Sequence, residues 1–302
     1  MTIQRAASIG LGLLGGSVGL AIKEHAPGIT TTGFDLDPAV RSKARELGLT
    51  SAVCESTEEA VADADLVIFC VPVGAIEAAA STLAGTIKQG AIISDVGSSK
   101  QSVAEALTRA LPGHTIIPAH PVAGTEQSGP EAGFASLFTN RWCILTPPED
   151  ADPTAVSALS DFWTQLGANV EIMDAEHHDL VLAVTSHIPH LIAYTIVGTA
   201  SDLEGVTQSE VIKYSAGGFR DFTRIAASDP VMWRDVFLNN KGAVLEMLGR
   251  FTEDLTALQR AIRSGDGDTL HDLFSRTRTI RRAVIEEGQD DERPDFGRED
   301  HG

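Results

Sequence analysis

The first 174 positions alternate short apolar runs with segments of helical periodicity, the pattern of a parallel sheet wrapped by helices. Strands are expected over 6–10, 30–34, 66–71, 91–95, 115–119 and 143–146, several of them continuously apolar, as strands covered on both faces are. Between them, 38–47 and 99–111 open on Asp or Ser and continue with apolar periodicity, which predicts capped helices. Beyond Asp174 the β-like runs stop and helical patterns continue to 287. The clearest stripe, Val244, Met247, Leu248, Phe251, Leu255, Leu258 and Ile262, keeps the spacing of one buried helix face. It ends in a Ser264-Gly265-Asp266-Gly267 turn, before a further helix carrying Leu270, Leu273, Phe274 and Ile280. The pattern therefore predicts an α/β domain with a mostly parallel sheet over 1–174, then an all-α domain over 175–287 and a charged flexible tail over 288–302. The helical stripe suits either an intrachain bundle or packing against a second subunit, and a dimer is expected.

A chain of 302 residues exceeds one ordinary core, which agrees with two domains. With 23 Lys plus Arg against 42 Asp plus Glu, the net charge of -19 argues against nucleic acid or an anionic membrane as a partner. Two apolar stretches bear on a membrane. The first 22 residues set Arg5 ahead of an apolar run, but the glycines inside that run have a better explanation. The second stretch, 180–200, contains Ser186, His187, Pro189 and His190, polar positions that a bilayer leaves unsatisfied, so no transmembrane helix is expected. Cys54, Cys70 and Cys143 are too few and too widely spaced for a disulfide framework or a zinc cluster, and the cytoplasm is the expected compartment.

Those glycines are Gly10, Gly12 and Gly15, a G-x-G-x-x-G run directly after the first expected strand and at the opening of a helix. The first allows a tight turn, the second lets a pyrophosphate approach the backbone, and the third lets helix and strand pack closely. The helix N-terminus at Leu13 and Leu14 then offers free amides to phosphate charge, and Val71 and Pro72, at the carboxyl end of the 66–71 strand, are expected to border the same site. Asp35 lies about twenty residues after Gly15 at a strand end, where a carboxylate accepts hydrogen bonds from ribose hydroxyls and repels a 2′-phosphate. The reading is a Rossmann-type domain that binds NAD, with Arg41 and Lys43 nearby leaving NADP as the alternative.

Candidate chemistry follows at further strand ends, where doubly wound sheets place their ligands. Asp95-Val96-Gly97-Ser98-Ser99-Lys100 comes after one strand and Ala119-His120-Pro121 with Gly124-Thr125-Glu126 after the next. A helical pattern then carries Ser186-His187-Ile188-Pro189-His190, followed by Gly218-Phe219-Arg220-Asp221-Phe222-Thr223-Arg224 and by Trp233. No acidic or cysteine residue stands at a spacing that would join His177, His178, His187 or His190 in a metal site.

The order and spacing of these motifs, from Gly10 to about Ile262, resemble the prephenate and arogenate dehydrogenases of tyrosine biosynthesis, also called cyclohexadienyl dehydrogenases. Ala119 stands where the family pattern has glycine before the histidine, a small-for-small change. The resemblance implies an oxidative decarboxylation in which hydride passes to NAD and the ring becomes aromatic. It implies that His120 accepts the ring hydroxyl proton, a role suited to a neutral imidazole, and that Ser98 hydrogen-bonds both the reacting centre and the nicotinamide. It further implies that Arg224 holds a substrate carboxylate through its planar guanidinium, with His190, Ser186, Thr125, Glu126 and Trp233 lining the pocket. A homodimer through the helical domain is implied as well. Two other readings compete: a β-hydroxyacid dehydrogenase using Lys213 or Lys241, which leaves Ser98 and His120 unexplained, and a non-catalytic NAD-sensing regulator, which His120 argues against.

Overall fold

The computed structural model describes residues 2–125, 127–202, 210, 213–214 and 216–286, with side chains to 283. Six parallel strands form the central sheet in the order β3-β2-β1-β4-β5-β6. They are β1 Arg5–Ile9, β2 Thr30–Phe34, β3 Ala52–Val53, β4 Leu66–Phe69, β5 Ile92–Asp95 and β6 Thr115–Ile116. Because side chains alternate across a strand, β1, β4 and β5 each feed two cores. Ala6, Leu66, Ile68 and Ile92 join Val18 and Ile22 of α1 (Leu13–His25) and Phe162 and Trp163 of α6 (Pro153–Gln165). Ala7, Ile9, Val67, Phe69 and Ile93 join Val61 of α3 (Thr57–Val61), Ile76 of α4 (Ile76–Ser81) and Val103 and Leu107 of α5 (Gln101–Ala110). Each large side chain sealed this way contributes on the order of 2 kcal/mol of transfer free energy.

Local signals set most boundaries. Helix α2 (Pro38–Leu47) opens where the Asp37 carboxylate accepts the Ala39 amide at 2.8 Å and closes at Gly48 with φ 62. Helix α5 differs from its expected start at 99. The carboxylate of Asp179 accepts the amides of Lys100 and Gln101 at 2.7 and 3.0 Å, so the cap comes from a residue remote in sequence and the Ser99 hydroxyl takes no part. The single strand expected over 115–119 is two strands in different sheets. Pro118 has no N–H to continue the ladder, and beyond it β7 (Ala119–Pro121) pairs antiparallel with β8 (Trp142–Leu145), itself parallel to β9 (Asn169–Ile172). Strands β3 and β9 were not expected: β3 has two residues, and β9 carries Asn169 and Glu171 among its four.

After β9 come α7 (Ala175–Leu182), a π-helical turn over Ala183–His187 and α8 (Ile188–Ser201). Pro189 lacks an amide and crowds the carbonyl four residues back, and the wide turn before it absorbs that conflict. The continuous run Ala175–Ser201 is long and apolar enough to cross a membrane by length and composition. Its polar residues His178, Asp179 and His187 are nevertheless fully or nearly buried in hydrogen-bonded contacts with β7, α5 and Asn240. Then follow α9 (Gly217–Thr223), a 3-10 turn over Arg224–Ala227, α10 (Pro230–Asn239), α11 (Lys241–Ser264) and α12 (Gly267–Glu286).

The chain forms two compact units, Met1–Leu245 and Glu246–Gly302. In the second, Gly265 turns the chain with φ 69, Asp266 accepts the Thr269 amide at 3.0 Å, and Leu255, Ile262, Phe274 and Ile280 are exposed. The expected stripe thus divides: Val244 is buried, Met247, Leu248, Phe251 and Leu258 are half-buried, and Leu255 and Ile262 face outward. The tail expected over 288–302 lies outside the described residues.

Candidate active site

The glycine turn gives each of its glycines a separate reason. Gly10 has φ 101, and a Cβ there would lie 2.7 Å from the Cys70 carbonyl oxygen and 3.1 Å from Val71 Cγ1. A Cβ on Gly15 would lie 1.9 Å from the Gly10 carbonyl oxygen, so α1 packs on the turn only because that atom is missing. A Cβ on Gly12 would meet nothing within 4 Å. Gly12 is also the N-cap of α1, so open space lies where the free amides of Leu13 and Leu14 begin the helix. Strand packing accounts for Gly10 and Gly15; the space at Gly12 fits the pyrophosphate of a dinucleotide.

Asp35 closes this end. Its carboxylate accepts the Leu11 amide at 2.8 Å and the Asp37 amide at 3.0 Å, tying the glycine turn to the end of β2 while each oxygen keeps further acceptor capacity. The two cations that left NADP open are engaged with the protein itself. Arg41 donates to the Asp35 and Leu36 carbonyls at 2.7 and 3.1 Å and stands 3.5 Å from Glu55. Lys43 pairs with Glu46 at 2.9 Å and Glu131 at 3.4 Å. Val71 is half-buried and Pro72 exposed, directly after β4.

Further along the carboxyl edge of the six-stranded sheet, β5 ends at Asp95, and beyond β6, in the three-stranded sheet, β7 carries His120, which is 7% exposed. His120 Nδ1 lies 2.9 Å from His178 Nε2, and His178 Nδ1 lies 2.9 Å from the Asp179 carboxylate. Proton positions follow from this chain. The carboxylate accepts, so His178 donates from Nδ1 and accepts at Nε2; His120 then donates from Nδ1 and keeps a lone pair on Nε2. Burial holds His120 well below its usual range, reinforced by the neighbouring His178, Lys100 and His187, so its ring is neutral near pH 7. His178 is lowered chiefly by burial, with Asp179 opposing.

The helical run that carries His178 continues into further polar groups. His187 is fully buried, its Nδ1 lies 3.1 Å from Asn240 Nδ2, and burial lowers its pKa to about 4. Asn240 also donates to the Asp179 carbonyl at 2.8 Å. Across the π turn, His190 Nδ1 donates to the Ser186 carbonyl at 2.8 Å, so Ser186 engages through its backbone and half-buried His190 keeps Nε2 as an acceptor. The His190 ring stacks on Trp233, with centroids 3.6 Å apart. Burial lowers His190, the hydrogen bond to Ser186 opposes this and the Arg224 cation adds to it; Arg224 itself is exposed to solvent. Ser98 is half-buried between β5 and α5, and Thr125 is exposed on the loop after β7. Glu126 lies outside the described residues.

Sequence reasoning missed the groups behind His120. In the sequence His178 enters only as a candidate metal ligand, and Asp179, Lys100 and Asn240 carry no role, although the chain has a His-His-Asp run at 177–179 and a lysine right after Gly97-Ser98-Ser99. Their signal is proximity across the fold. Lys213 and Lys241, the lysines of the competing reading, are exposed.

A six-stranded doubly wound sheet with a dinucleotide-type glycine turn at its carboxyl edge, followed by a small second sheet that carries a neutral buried histidine, defines a nucleotide-dependent oxidoreductase. Comparison with known proteins narrows this. The prephenate dehydrogenase nucleotide-binding domain matches residues 18–172, and the prephenate dehydrogenase dimerization domain matches residues 174–276. The cyclohexadienyl dehydrogenase of Zymomonas mobilis is 44% identical over 285 residues, 94% of this chain and 97% of that protein. The prephenate dehydrogenase of Bacillus subtilis is 35% identical, over 90% of this chain and 74% of that one. The crystal structure of prephenate dehydrogenase from Aquifex aeolicus with hydroxyphenyl propionate and NAD+ is similar with a TM-score of 0.86 at 31% identity, covering 94% of this chain and 99% of that one. The chain belongs to the prephenate dehydrogenase family.

Proposed function

We propose that this protein catalyses the NAD-dependent oxidative decarboxylation of prephenate or arogenate, yielding 4-hydroxyphenylpyruvate or tyrosine with carbon dioxide. Family membership supplies the reaction class, and the observation that carries the reading is the Asp179–His178–His120 chain, which leaves a neutral Nε2 lone pair on β7. Bound NAD supplies the acceptor for the hydride that leaves the hydroxyl-bearing ring carbon. His120 accepts the hydroxyl proton as that carbon becomes a carbonyl, and His178 and Asp179 hold its ring in the accepting tautomer. Loss of the ring carboxylate as carbon dioxide then lets the ring aromatise, so the protein's task is to orient and deprotonate.

Gly10, Gly12, Gly15, Leu13 and Leu14 cradle the pyrophosphate, Asp35 receives the ribose hydroxyls, and Val71 and Pro72 flank the cofactor. The engagement of Arg41 and Lys43 with Glu55, Glu46 and Glu131 supports NAD over NADP. Ser98 bridges the nicotinamide and the reacting hydroxyl. Arg224 takes a substrate carboxylate, His190, Ser186 and Trp233 form the wall around the ring, and Thr125 and Glu126 stand at the mouth. Residues 1–174 serve as the dinucleotide domain and 175–287 as the substrate and dimerisation domain, followed by a charged tail over 288–302. The family match over 174–276 and the exposed Leu255, Ile262, Phe274 and Ile280 support a homodimer, and the cytoplasm is the proposed location.

The test is a spectrophotometric assay pairing NAD or NADP with prephenate or arogenate. NAD reduction with at least one of the two substrates is expected. Absence of turnover in all four pairings, with NAD binding intact, would overturn the substrate assignment.

A further inference from the structure

Lys100 is a lysine with no exposed surface, and the reaction outlined above gives it nothing to do. Lysines are almost never sealed in this way unless paired. Its ammonium donates to the Asp95 carboxylate and, at 2.7 Å, to the carbonyl oxygen of Ala119. The other oxygen of Asp95 accepts the Ala119 amide at 3.2 Å. Both backbone groups of the residue just before His120 are thus held by one buried ion pair.

Strand β7 explains why such a grip matters. It is three residues long and follows a proline, and its ladder runs along one edge only, to β8. The Thr146 amide bonds the Pro118 carbonyl and the Val122 amide bonds the Trp142 carbonyl, so Ala119, lying between, turns its N–H and C=O to the opposite edge. Among the described residues no strand neighbours that edge in the three-stranded sheet. Asp95 and Lys100 stand in for one, acceptor facing donor and donor facing acceptor. The same Asp95 oxygen that meets Lys100 also accepts the Gly97 amide at 2.7 Å, so the loop carrying Ser98 hangs on it too. The Lys100 amide, in turn, is held by Asp179 at 2.7 Å, the carboxylate that orients His178. A buried ion pair is a poor route to stability, since an apolar pair of similar volume often does as well or better. Its advantage here is geometric.

We propose that the buried Asp95–Lys100 pair is a positioning device for the reaction, clamping Ala119 so that His120 and Ser98 are held at a fixed separation and angle. The proposal rests on His120 being the proton acceptor. Its test is the double variant Asp95→Asn/Lys100→Met, which leaves no stranded buried charge. The expected result is a kcat lowered roughly ten- to hundredfold, as a misplacement on the order of 1 Å would produce, with the KM for prephenate and the Kd for NAD within about threefold of the parent. A melting temperature that falls while kcat stays within about twofold would show a structural role only and overturn the clamp. Should the double variant not fold, Asp95→Asn alone, which conserves shape and leaves Lys100 in place, is expected to lower kcat by about tenfold, and an unchanged kcat would overturn the proposal equally. His120→Asn run alongside separates the two ideas. A fully active His120→Asn would remove the proton-acceptor reading itself, whereas an inactive His120→Asn beside fully active clamp variants would remove the clamp alone.

Discussion

The glycine turn after β1 and the histidine cluster around β7 show two ways of making a site. The glycine turn works through backbone amides and missing side chains inside a single strand-to-helix crossing, with Gly10, Gly12 and Gly15 spanning six positions. The histidine cluster works through side chains, and its members come from β5, β7, α7, the π turn and Asn240, as much as 79 positions apart in one hydrogen bond. The first is a local structure that any chain with those residues in that order tends to form. The second exists only once strands and helices have been brought together, and burial then sets the charge state of each member. A backbone site therefore tolerates changes in its surroundings and not in its own glycines. A side-chain site depends on residues that never touch the ligand.

The sharpest test of that contrast is at His120. His120→Asn is expected to lower turnover by roughly a hundredfold or more, measured in steady-state assays, while the NAD dissociation constant stays close to the parent value. Equal loss of both would mean that the two sites are not separable. Next in size is Asp179→Asn, which never contacts the substrate in the proposed reaction. An amide there can present a donor to His178 and reverse both histidine tautomers, so kcat is expected to fall about tenfold or more with little change in the KM for prephenate. Retention of full activity would take the His178–Asp179 arm out of the mechanism.

At the glycine turn, Gly15→Ala and Gly12→Ala are expected to part company. The first drives a Cβ to within 1.9 Å of the Gly10 carbonyl oxygen and should cost on the order of 1–3 kcal/mol of stability, read from the melting temperature. The second enters open space and should leave the melting temperature alone while weakening NAD several-fold. A reversed pattern would move the pyrophosphate away from Gly12.

The gentlest probe is pH. Burial holds His120 well below 6.5, so the acidic limb of kcat/KM is expected to fall below that value, and a limb centred at or above 6.5 would show that the ring is not buried during the reaction. Stability has the matching sign. An unfolded histidine titrates near 6.5, whereas buried His187 does so at about 4, so the unfolded chain binds the extra proton between these values. The buried ring's contribution is present above 6.5 and is lost as pH falls toward 4, which melting curves across that window would show.

Legibility followed the same division. Strands β1, β4 and β5 were readable because alternate residues enter two apolar cores, and the run 38–47 was readable because Asp37 and Gly48 mark its ends locally. The break at Pro118 was missed, since a proline inside an apolar run says where a ladder stops and not which sheet the chain joins next. His120, Arg224 and the glycines stood out through motif and resemblance. His178, Asp179 and Lys100 did not, because nothing in the spacing of residues 95–100, 119–120 and 178–179 states that they meet.

By itself, then, the amino-acid sequence determined the class of fold, the glycine turn and the family, all of which depend on periodicity and short-range order that the chain carries along its length. The tertiary structure decided which histidine nitrogen is left to accept a proton, what caps α5 and what holds the backbone of Ala119. Those outcomes depend on distances of about 3 Å between groups remote in sequence, and on the loss of water around them, quantities that come into being only when the sheet and its helices close.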